Sequence, residues 1–485
     1  MAATKTGVLS VTSECVPLIK SGGLADVAGA LPGALAGQGV NMRVLLPAYR
    51  GLLKQIGHTR TVLDLPDLFG GKGRVVAGKA GDMQVLLLDA PHLFDRAGGP
   101  YLDADGRDFP DNPERFAALS WAAAEIAAKG LSDGWTPSLV HAHDWQAALT
   151  PVYLRLRGIA VPSVLTIHNI AFQGLAPFEK LQALRLPPEL WERGDIEYWG
   201  QIGVLKAGLI HADRVTTVSP TYALELRRDQ FGMGLQGVIA ARPDGICGLL
   251  NGIDTDVWNP ETDPEVVSFS TRSLAGRAKN RKRLVQEFGL TDTGGPIAAV
   301  ISRLTRQKGL DLLPEVIPGF LARGGMVAIL GNGDADIQEA LRSLAARFPG
   351  KVGIYLGYDE PRSHRVFAGA DCIVIPSRFE PCGLTQLYGL RYGAVPMVVA
   401  TGGLADTVIA ANPAALDRQV ATGIVLHQAD TESLRAGFDQ LLDLHAQPET
   451  FRRIRRNGMA ADFGWARSAQ AYAELYQDLA PELAS

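Results

Sequence analysis

The strongest constraint on the fold is a series of short apolar runs that alternate with helix-like segments. In the first half of the chain these runs begin at Val8, Arg43, Met83, Leu139 and Ser163. A helical stretch over 113–129 stands between two of them. Runs this apolar are typical of strands buried on both faces of a parallel sheet. The first half therefore predicts a doubly wound α/β domain.

The second half repeats the pattern. Its apolar runs begin at Ile297, Met326, Val352, Cys372 and Pro396. Helical stretches over 308–322, 336–347 and 385–392 separate several of these runs. Between Gly245 and Pro260 the alternation stops. We therefore predict two domains, 1–250 and 251–460, followed by an amphipathic helix within 461–485.

Charge and cysteine content exclude several classes of protein. The 485 residues hold 47 Lys plus Arg against 51 Asp plus Glu, a net charge of −4, which argues against nucleic-acid and membrane partners. Apolar runs stay below the roughly 18 residues that a membrane span needs, and we expect no signal peptide. Four cysteines without Cys-x-x-Cys spacing disfavour a disulfide scaffold or a structural zinc site. We expect a soluble cytoplasmic protein.

Basic residues beside glycines are candidates for a diphosphate site. The sequence contains neither a Walker A motif nor a G-x-G-x-x-G that opens a helix after a strand, which disfavours nucleoside triphosphatases and NAD enzymes. Lys20 precedes Gly22 and Gly23, and Arg303 and Lys308 follow a predicted strand. Charged side chains and the backbone N–H groups of a helix start can together bind a diphosphate.

The alternative is that Arg303 and Lys308 merely cover a helix start on the surface. Their position favours a ligand role, because Arg303 directly follows the apolar run that begins at Ile297. Ligand-binding residues concentrate at the carboxyl ends of strands in open α/β sheets.

One sequence element occurs twice, as Gly22-Gly-Leu-Ala-Asp26 and as Gly402-Gly-Leu-Ala-Asp406. Each copy stands near the start of a helical pattern, one in each half. If each follows the carboxyl end of a strand, both loops lie at the ligand-binding edge of their sheets and face a central cleft.

Metal sites are the competing interpretation of the acidic and histidine motifs. Asp-x-Asp pairs stand at Asp103, Asp254 and Asp334, and such pairs can hold Mg²⁺. All three lie in polar, loop-like contexts where turn-forming aspartates are common. His141 and His143 share one face of a strand, but a third zinc ligand with suitable spacing is not visible. We predict no metal.

Several motifs together resemble the bacterial glycogen synthases and the related starch synthases. They are Lys20-Ser-Gly-Gly-Leu-Ala-Asp26, His141-Ala-His-Asp-Trp145, Thr166-Ile-His168-Asn, Leu250-Asn-Gly-Ile-Asp254, Ser302-Arg-Leu-Thr-Arg-Gln-Lys308 and Phe379-Glu-Pro-Cys-Gly-Leu-Thr385. The resemblance runs from about residue 7 to about residue 410. It implies the GT-B architecture, two Rossmann-like domains facing a central cleft, with the C-terminal helix of 461–485 returning to the first domain.

The resemblance also implies an activity: retaining transfer of glucose from ADP-glucose to the non-reducing end of an α-1,4-glucan such as glycogen. Residues implied to contact the donor are Lys20, Gly22, Gly23, Asn251, Arg303, Lys308, Tyr358, Cys382, Gly383, Leu384 and Thr385. Residues implied to act at the transferring centre are Glu380, His168 and Asp144, with Lys20, Arg303 and Lys308 neutralising the diphosphate. Residues implied on the acceptor side are Glu14, Tyr101 and Asn169.

One position departs from the broader relatives. They carry a second glutamate, which binds the ribose, eight residues after the one that corresponds to Glu380. At that position this chain has Tyr388. The glycogen and starch synthases also lack that glutamate, so the departure supports the narrower resemblance and leaves the ribose contact unassigned.

The expected mechanism follows from the charges. Preorganised positive charge at the leaving diphosphate replaces a metal. A double displacement needs a carboxylate on the opposite face of the sugar, and the segment 166–174 contains none. We therefore favour front-face attack supported by the backbone carbonyl of His168, with Asp144 as a covalent nucleophile the rival. A nucleotide-sugar epimerase or hydrolase and a catalytically silent glucan-binding protein are the alternative functions.

Overall fold

A computed structural model describes residues 6–480, and over that range the chain divides into two compact units. The division falls after Gly252, and the chain returns to the first unit at Trp465. The sequence places the same two transitions at 250 and 461.

The first unit is built on a mostly parallel sheet. Its strands are β1 (Thr6–Val11), β2 (Val40–Pro47), β3 (Arg60–Leu68), β4 (Gly71–Ala80), β5 (Met83–Asp89), β6 (Leu139–His143), β7 (Ser163–Ile167), β8 (Leu175–Pro177), β9 (Glu197–Tyr198), β10 (Gln201–Gly203), β11 (Arg214–Thr217) and β12 (Cys247–Gly248). The main sheet has the order β12-β11-β7-β6-β1-β2-β5-β4-β3, and β8, β10 and β9 form a small separate sheet.

Helices connect these strands. They are α1 (Gly23–Ala36), α2 (Leu52–Gln55), α3 (Pro91–Phe94), α4 (Asn112–Lys129), α5 (Asp144–Ala147), α6 (Leu149–Leu156), α7 (Pro188–Glu192), α8 (Val204–His211), α9 (Pro220–Glu225), α10 (Asp229–Gly232) and α11 (Gln236–Ala240), with a 3₁₀ turn at Phe178–Lys180. The fully buried strands β6 and β7 lie centrally, as expected for apolar runs in a parallel sheet.

The second unit is a parallel sheet in the order β15-β14-β13-β16-β17-β18. Its strands are β13 (Ile297–Leu304), β14 (Met326–Gly333), β15 (Val352–Leu356), β16 (Cys372–Ile375), β17 (Val395–Val399) and β18 (Ile424–Leu426). Its helices are α12 (Ala275–Glu287), α13 (Leu313–Ala322), α14 (Ala335–Arg347), α15 (Glu360–Gly369), α16 (Thr385–Tyr392), α17 (Gly402–Thr407), α18 (Pro413–Asp417), α19 (Thr431–His445) and α20 (Pro448–Ala460), with a 3₁₀ turn at Leu310–Leu312.

Separate apolar clusters line the two faces of the second sheet. One contains Val300, Ile329 and Phe438, and the other contains Ala299, Ala328 and Phe367. Successive strand residues point to opposite faces, so each strand contributes to both clusters. This arrangement confirms the predicted doubly wound architecture for the second half.

The last helix, α21 (Ala466–Leu479), belongs to the first unit. Tyr472 and Tyr476 are fully buried in an apolar cluster with Val8, Leu31 and Val164. Large buried aromatic side chains of this kind anchor a terminal helix firmly. Within residues 6–480, no helix is both long and apolar enough to cross a bilayer.

One part of the first unit differs from a strict strand-helix alternation. Strands β3 and β4 form an antiparallel hairpin, and β4 pairs antiparallel with β5 at the edge of the sheet. In β3 the buried residues are Val62, Leu65 and Leu68, three positions apart and with irregular register, so the strand does not form one apolar run. A search for apolar runs therefore misses this hairpin.

Candidate active site

In the first unit, the predicted diphosphate loop lies between β1 and α1. It follows the carboxyl end of β1, and α1 begins at Gly23. Lys20 is partly exposed, and its Nζ lies 2.8 Å from Asp26 Oδ1. A Cβ atom added at Gly22 or Gly23 would meet no described atom within 4 Å. The glycines therefore leave open space beside the backbone at a helix N-terminus, where an anion can approach.

In the second copy of the Gly-Gly-Leu-Ala-Asp element, which begins at Gly402, the glycines lie close to other backbone atoms. A Cβ atom at Gly402 would lie 2.0 Å from the Glu380 carbonyl oxygen, and one at Gly403 would lie 2.1 Å from that of Cys382. Gly402 also has a positive φ of 43°. These glycines permit close packing of α17 against the loop that carries Glu380. Each copy follows the carboxyl end of a strand, β1 for the first and β17 for the second, and whether the two copies face a common cleft stays a prediction.

Glu14 and Tyr101, both predicted on the acceptor side, lie together. The Tyr101 hydroxyl donates to Glu14 Oε1, and Glu14 Oε2 accepts from the backbone N–H groups of Ser21 and Gly22, the latter at 3.0 Å. Burial and the Glu14 carboxylate raise the pKa of Tyr101 well above its usual value, so the phenol stays a donor. Glu14 thereby fixes the shape of the loop that carries Lys20.

Asp144 and His168 stand at the ends of the neighbouring strands β6 and β7. Asp144 has a positive φ of 53° and is buried. Its Oδ1 accepts from the backbone N–H of His168 at 2.6 Å and from that of Asn169 at 3.3 Å. Burial raises the pKa of Asp144 to about 7 and lowers that of His168 to about 3.

Two asparagines behave differently. The Asn169 side-chain oxygen accepts from the Ala171 backbone N–H at 3.0 Å, so this part of the amide serves the local turn. Asn251 is buried, and its Oδ1 has no hydrogen-bond partner among residues 6–480. A buried unpaired oxygen is costly unless a ligand or water satisfies it, so the Asn251 amide fits a binding role.

In the second unit, Lys308 and Glu380 meet at the ends of adjacent strands. β13 pairs with β16, so the loops that follow them are neighbours. Gly309 has φ 70°, and a Cβ there would lie 2.0 Å from the Pro376 carbonyl oxygen. The tight approach brings Lys308 Nζ to 2.5 Å from Glu380 Oε2. Arg303 is exposed near the end of β13, and its guanidinium forms no ion pair with any residue from 6 to 480.

The loop from Glu380 to Thr385 leads into α16. Gly383 has φ 71°, Cys382 is buried, and Thr385 is the first helical residue after Leu384. The Gln386 amide donates to the carbonyl oxygens of Cys382 and Gly383 at 3.0 and 2.9 Å. These bonds fix the loop at the N-terminus of α16, and the first backbone N–H groups of a helix have no partner within the helix and can bind an anion.

Sequence reasoning missed two side chains that support this loop. Ser377 Oγ donates to Glu380 Oε2 at 2.9 Å, and Gln386 holds the loop carbonyls. The signal for Ser377 in the sequence is its place just after the buried strand β16, three residues before the carboxylate that it contacts.

Tyr358 and Tyr388, which the resemblance singled out, have different environments. Tyr358 is 75% exposed, and its hydroxyl donates to Glu360 at 2.5 Å, so its ring is accessible for stacking. Tyr388 stacks on Trp258 with ring centroids 3.8 Å apart, and His364 stacks on Trp258 at the same separation. Tyr388 is therefore part of an aromatic stack within the second unit.

The motifs weighed as metal sites have other roles. Asp103 and Asp254 accept hydrogen bonds from backbone N–H groups that follow them, as in turns, and Asp336 pairs with Arg306. Within residues 6–480, no three His, Cys, Asp or Glu side chains are placed to share a metal ion. His141 bonds Tyr476 and Thr166 through its two ring nitrogens, at 2.7 and 2.6 Å.

Comparison with known proteins assigns the class. The family model for the starch synthase catalytic domain matches residues 7–241, and that for glycosyl transferases group 1 matches residues 282–459. The fold and these matches define a two-domain glycosyltransferase of the GT-B architecture. Glycogen synthases of Cereibacter sphaeroides and Paracoccus denitrificans are each 55% identical, covering 99% and 98% of this chain and 100% of theirs. The chain belongs to the glycogen synthase family.

Solved structures agree with this assignment. The catalytic domain of starch synthase IV from Arabidopsis thaliana, bound to ADP and acarbose, has a TM-score of 0.87 and 30% identity, covering 99% of this chain and 100% of that one. Sucrose-phosphate synthase from Thermosynechococcus elongatus, with a TM-score of 0.63 and 18% identity over 99% of this chain and 100% of that one, shares the fold. The chain is thus a glucosyltransferase of glycogen synthesis.

Proposed function

We propose that the enzyme transfers glucose from ADP-glucose to the non-reducing end of an α-1,4-glucan, with retention and without a metal. The observation that carries the proposal is the pairing of Lys308 with Glu380 beside the start of α16. This places a cation, a carboxylate and helix-start backbone N–H groups within one loop system. Such a set suits a diphosphate joined to a sugar. Starch synthase IV, which was solved with ADP and acarbose bound, supports the same ligand classes.

The proposed donor contacts are those that the family resemblance implies. Lys20, Gly22, Gly23 and Asn251 belong to the first unit, and Arg303, Lys308, Tyr358, Cys382, Gly383, Leu384 and Thr385 belong to the second. Lys20, Arg303 and Lys308 would neutralise the charge that develops on the leaving ADP. Tyr358 offers an exposed ring for the adenine, and Glu380 would accept hydrogen bonds from glucose hydroxyls.

We propose front-face attack over a covalent intermediate on Asp144. Asp144 Oδ1 is already engaged by the backbone N–H groups of His168 and Asn169. A carboxylate held this way orients the loop that carries the His168 carbonyl, which would face the sugar cation. Glu14, Tyr101 and Asn169 remain the proposed acceptor side.

The decisive experiment follows product formation from two donors. ADP-glucose with glycogen should release ADP and lengthen the glucan by units that an α-1,4-specific amylase removes, whereas UDP-glucose should not. Release of ADP without glycogen would favour a hydrolase, and interconversion of the sugar would favour an epimerase. Glu380→Gln should abolish transfer, while Glu315→Gln, which makes the same charge change at an exposed helix position, should not.

Exhaustive treatment with EDTA tests the metal. We expect activity to persist, because three cations and a helix start neutralise the diphosphate. Loss of activity that Mg²⁺ or Mn²⁺ restores would contradict the proposal. The cytoplasmic location also stays a prediction.

A further inference from the structure

A buried chain of polar side chains lies behind His168 in the first unit. Ser10 Oγ lies 3.1 Å from His143 Nε2, and His143 Nδ1 lies 3.0 Å from His168 Nε2. Ser10 and His143 are fully buried, and His168 is 9% exposed. The three residues come from neighbouring strands of the main sheet. Ser10 lies in β1, His143 lies in β6, and His168 directly follows β7.

Both imidazoles are neutral at physiological pH. Burial lowers the pKa of His168 to about 3 and that of His143 well below its usual value. A neutral imidazole carries one N–H donor and one acceptor nitrogen. Of the two nitrogens 3.0 Å apart, one must therefore donate and the other accept, and the direction fixes both tautomers.

Ser10 decides the direction. Its Oγ has no hydrogen-bond partner other than His143 among residues 6–480. If His143 Nε2–H donated to Ser10, the buried Ser10 hydroxyl proton would have no acceptor within those residues, which is costly. If Ser10 donates to His143 Nε2, then His143 Nδ1–H donates to His168 Nε2, and the one donor left over is His168 Nδ1–H, on the residue of the three that is not fully buried.

We propose that His143 is a positioning residue that holds His168 in the tautomer with its proton on Nδ1. Nδ1 of His168 has no hydrogen-bond partner among residues 6–480, so its N–H is available as a donor to a ligand. Resting on the proposed function, this donor meets a hydroxyl oxygen of the transferred glucose. Ser10 and His143 act through His168 and do not touch the substrate.

A second buried histidine in the same sheet, His141, also contacts hydroxyl groups and supplies a matched control. His141 Nδ1 lies 2.7 Å from the Tyr476 hydroxyl, and His141 Nε2 lies 2.6 Å from Thr166 Oγ1. Tyr476→Phe, like Ser10→Ala, removes one buried hydroxyl that contacts a buried histidine. It leaves the Ser10, His143 and His168 contacts unchanged.

The test is nitrogen NMR on the full chain labelled with ¹⁵N-histidine, with His168→Gln used to assign the His168 signals. Wild-type protein should show His168 protonated on Nδ1 and unprotonated on Nε2. Ser10→Ala should shift His168 toward a mixture of tautomers, Ser10→Cys should retain more of the Nδ1–H form, and Tyr476→Phe should match wild type. A wild-type Nε2–H tautomer, or a tautomer unaffected by Ser10→Ala, would overturn the proposal.

Kinetics test the consequence for the reaction. Ser10→Ala should lower kcat about three- to tenfold with little change in the KM for glycogen, as expected for loss of one orienting hydrogen bond. ADP-glucose should shift the His168 Nδ1 signal. An unshifted signal in an enzyme that makes glycogen would contradict the sugar contact. The His168 tautomer is measured in the free protein, without substrate. The positioning role of His143 can therefore be confirmed even if ADP-glucose proves not to be the donor.

Discussion

Asp144 Oδ1 accepts a 2.6 Å hydrogen bond from the backbone N–H of His168, the residue whose carbonyl we place against the sugar cation. Asp144 itself adopts a left-handed backbone conformation at φ 53°. Non-glycine residues in this region are uncommon and concentrate at functional sites. In the proposed mechanism, Asp144 would act on the reaction through the backbone of His168, at some conformational cost.

Activity should depend on the ionisation of Asp144. Burial raises its pKa to about 7, and the ionised carboxylate is the stronger acceptor for the His168 N–H. We expect kcat/KM to rise as pH increases through about 7, and this limb to disappear in Asp144→Asn. His168 cannot supply the limb, because its pKa is about 3. A pH–rate profile of both proteins measures this, and an identical limb in Asp144→Asn would contradict it.

Acid should destabilise the protein through its buried histidines. Burial lowers the pKa of His141 and of His168 to about 3, whereas unfolded histidine titrates near 6.5. Below about pH 6.5 the unfolded chain binds more protons than the folded chain. The free energy of unfolding therefore decreases as the pH decreases, by up to about 1.4 kcal/mol per pH unit for each histidine. Asp144, with a raised pKa, contributes in the opposite direction between about 4 and 7.

The measurement is the thermal unfolding midpoint between about pH 7 and about pH 5. His141→Gln should show a shallower fall than wild type, since one titrating group is removed. A fall as steep as that of wild type would show that other groups dominate acid unfolding.

Much of the architecture was readable from the sequence because the central strands are apolar on both faces. The predicted helix over 385–392 matches α16, and the runs at Leu139 and Ser163 match β6 and β7. The β3–β4 hairpin was not predicted because β3, at the edge of the sheet, is mostly exposed and buries only every third residue. Such a strand shows neither a continuous apolar run nor a strict alternation of apolar and polar residues.

The candidate site was readable in part. Arg303 could be placed at a strand end from its position in the sequence, whereas His168 was assigned through the family resemblance. The bond from Ser10 to His143 joins residues far apart in the sequence, whose pairing depends on strand order and side-chain direction and is not encoded locally. The bond from Ser377 to Glu380 is local, but the direction of the Ser377 side chain is set by the folded loop. The repeated Gly-Gly-Leu-Ala-Asp element looked equivalent in both halves, and only the structure distinguishes open from packed glycines.

Removing the Lys20 charge should weaken donor use without unfolding the protein. Its ion pair with Asp26 is partly exposed, and pairs of this kind contribute little to stability. Loss of one charge-assisted phosphate contact should lower kcat/KM for ADP-glucose about ten- to a hundredfold in Lys20→Gln. Lys129→Gln removes the same charge from a lysine paired with Glu125 on α4 and serves as the control. Near-normal donor kinetics in well-folded Lys20→Gln would remove Lys20 from the site.

The two glycine pairs should respond oppositely to alanine. At Gly402 a methyl group would lie 2.0 Å from the Glu380 carbonyl oxygen on a backbone with positive φ, so Gly402→Ala should lose about 2 kcal/mol or more of stability. At Gly22 the backbone is extended at φ −150° and the space is open, so Gly22→Ala should fold normally. Its methyl group would instead occupy the space through which we expect the diphosphate to approach, raising the KM for ADP-glucose.

Gly33→Ala completes the comparison, because this glycine lies inside α1 with no described atom within 4 Å of an added Cβ. It should gain about 0.5–1 kcal/mol of stability and keep normal kinetics, since alanine is the better helix former. Unfolding midpoints and donor KM values for the three variants measure the contrast. If Gly22→Ala kept the wild-type KM while remaining folded, the open space at Gly22 would not be the route of the diphosphate, and the anion would have to approach α1 from another side.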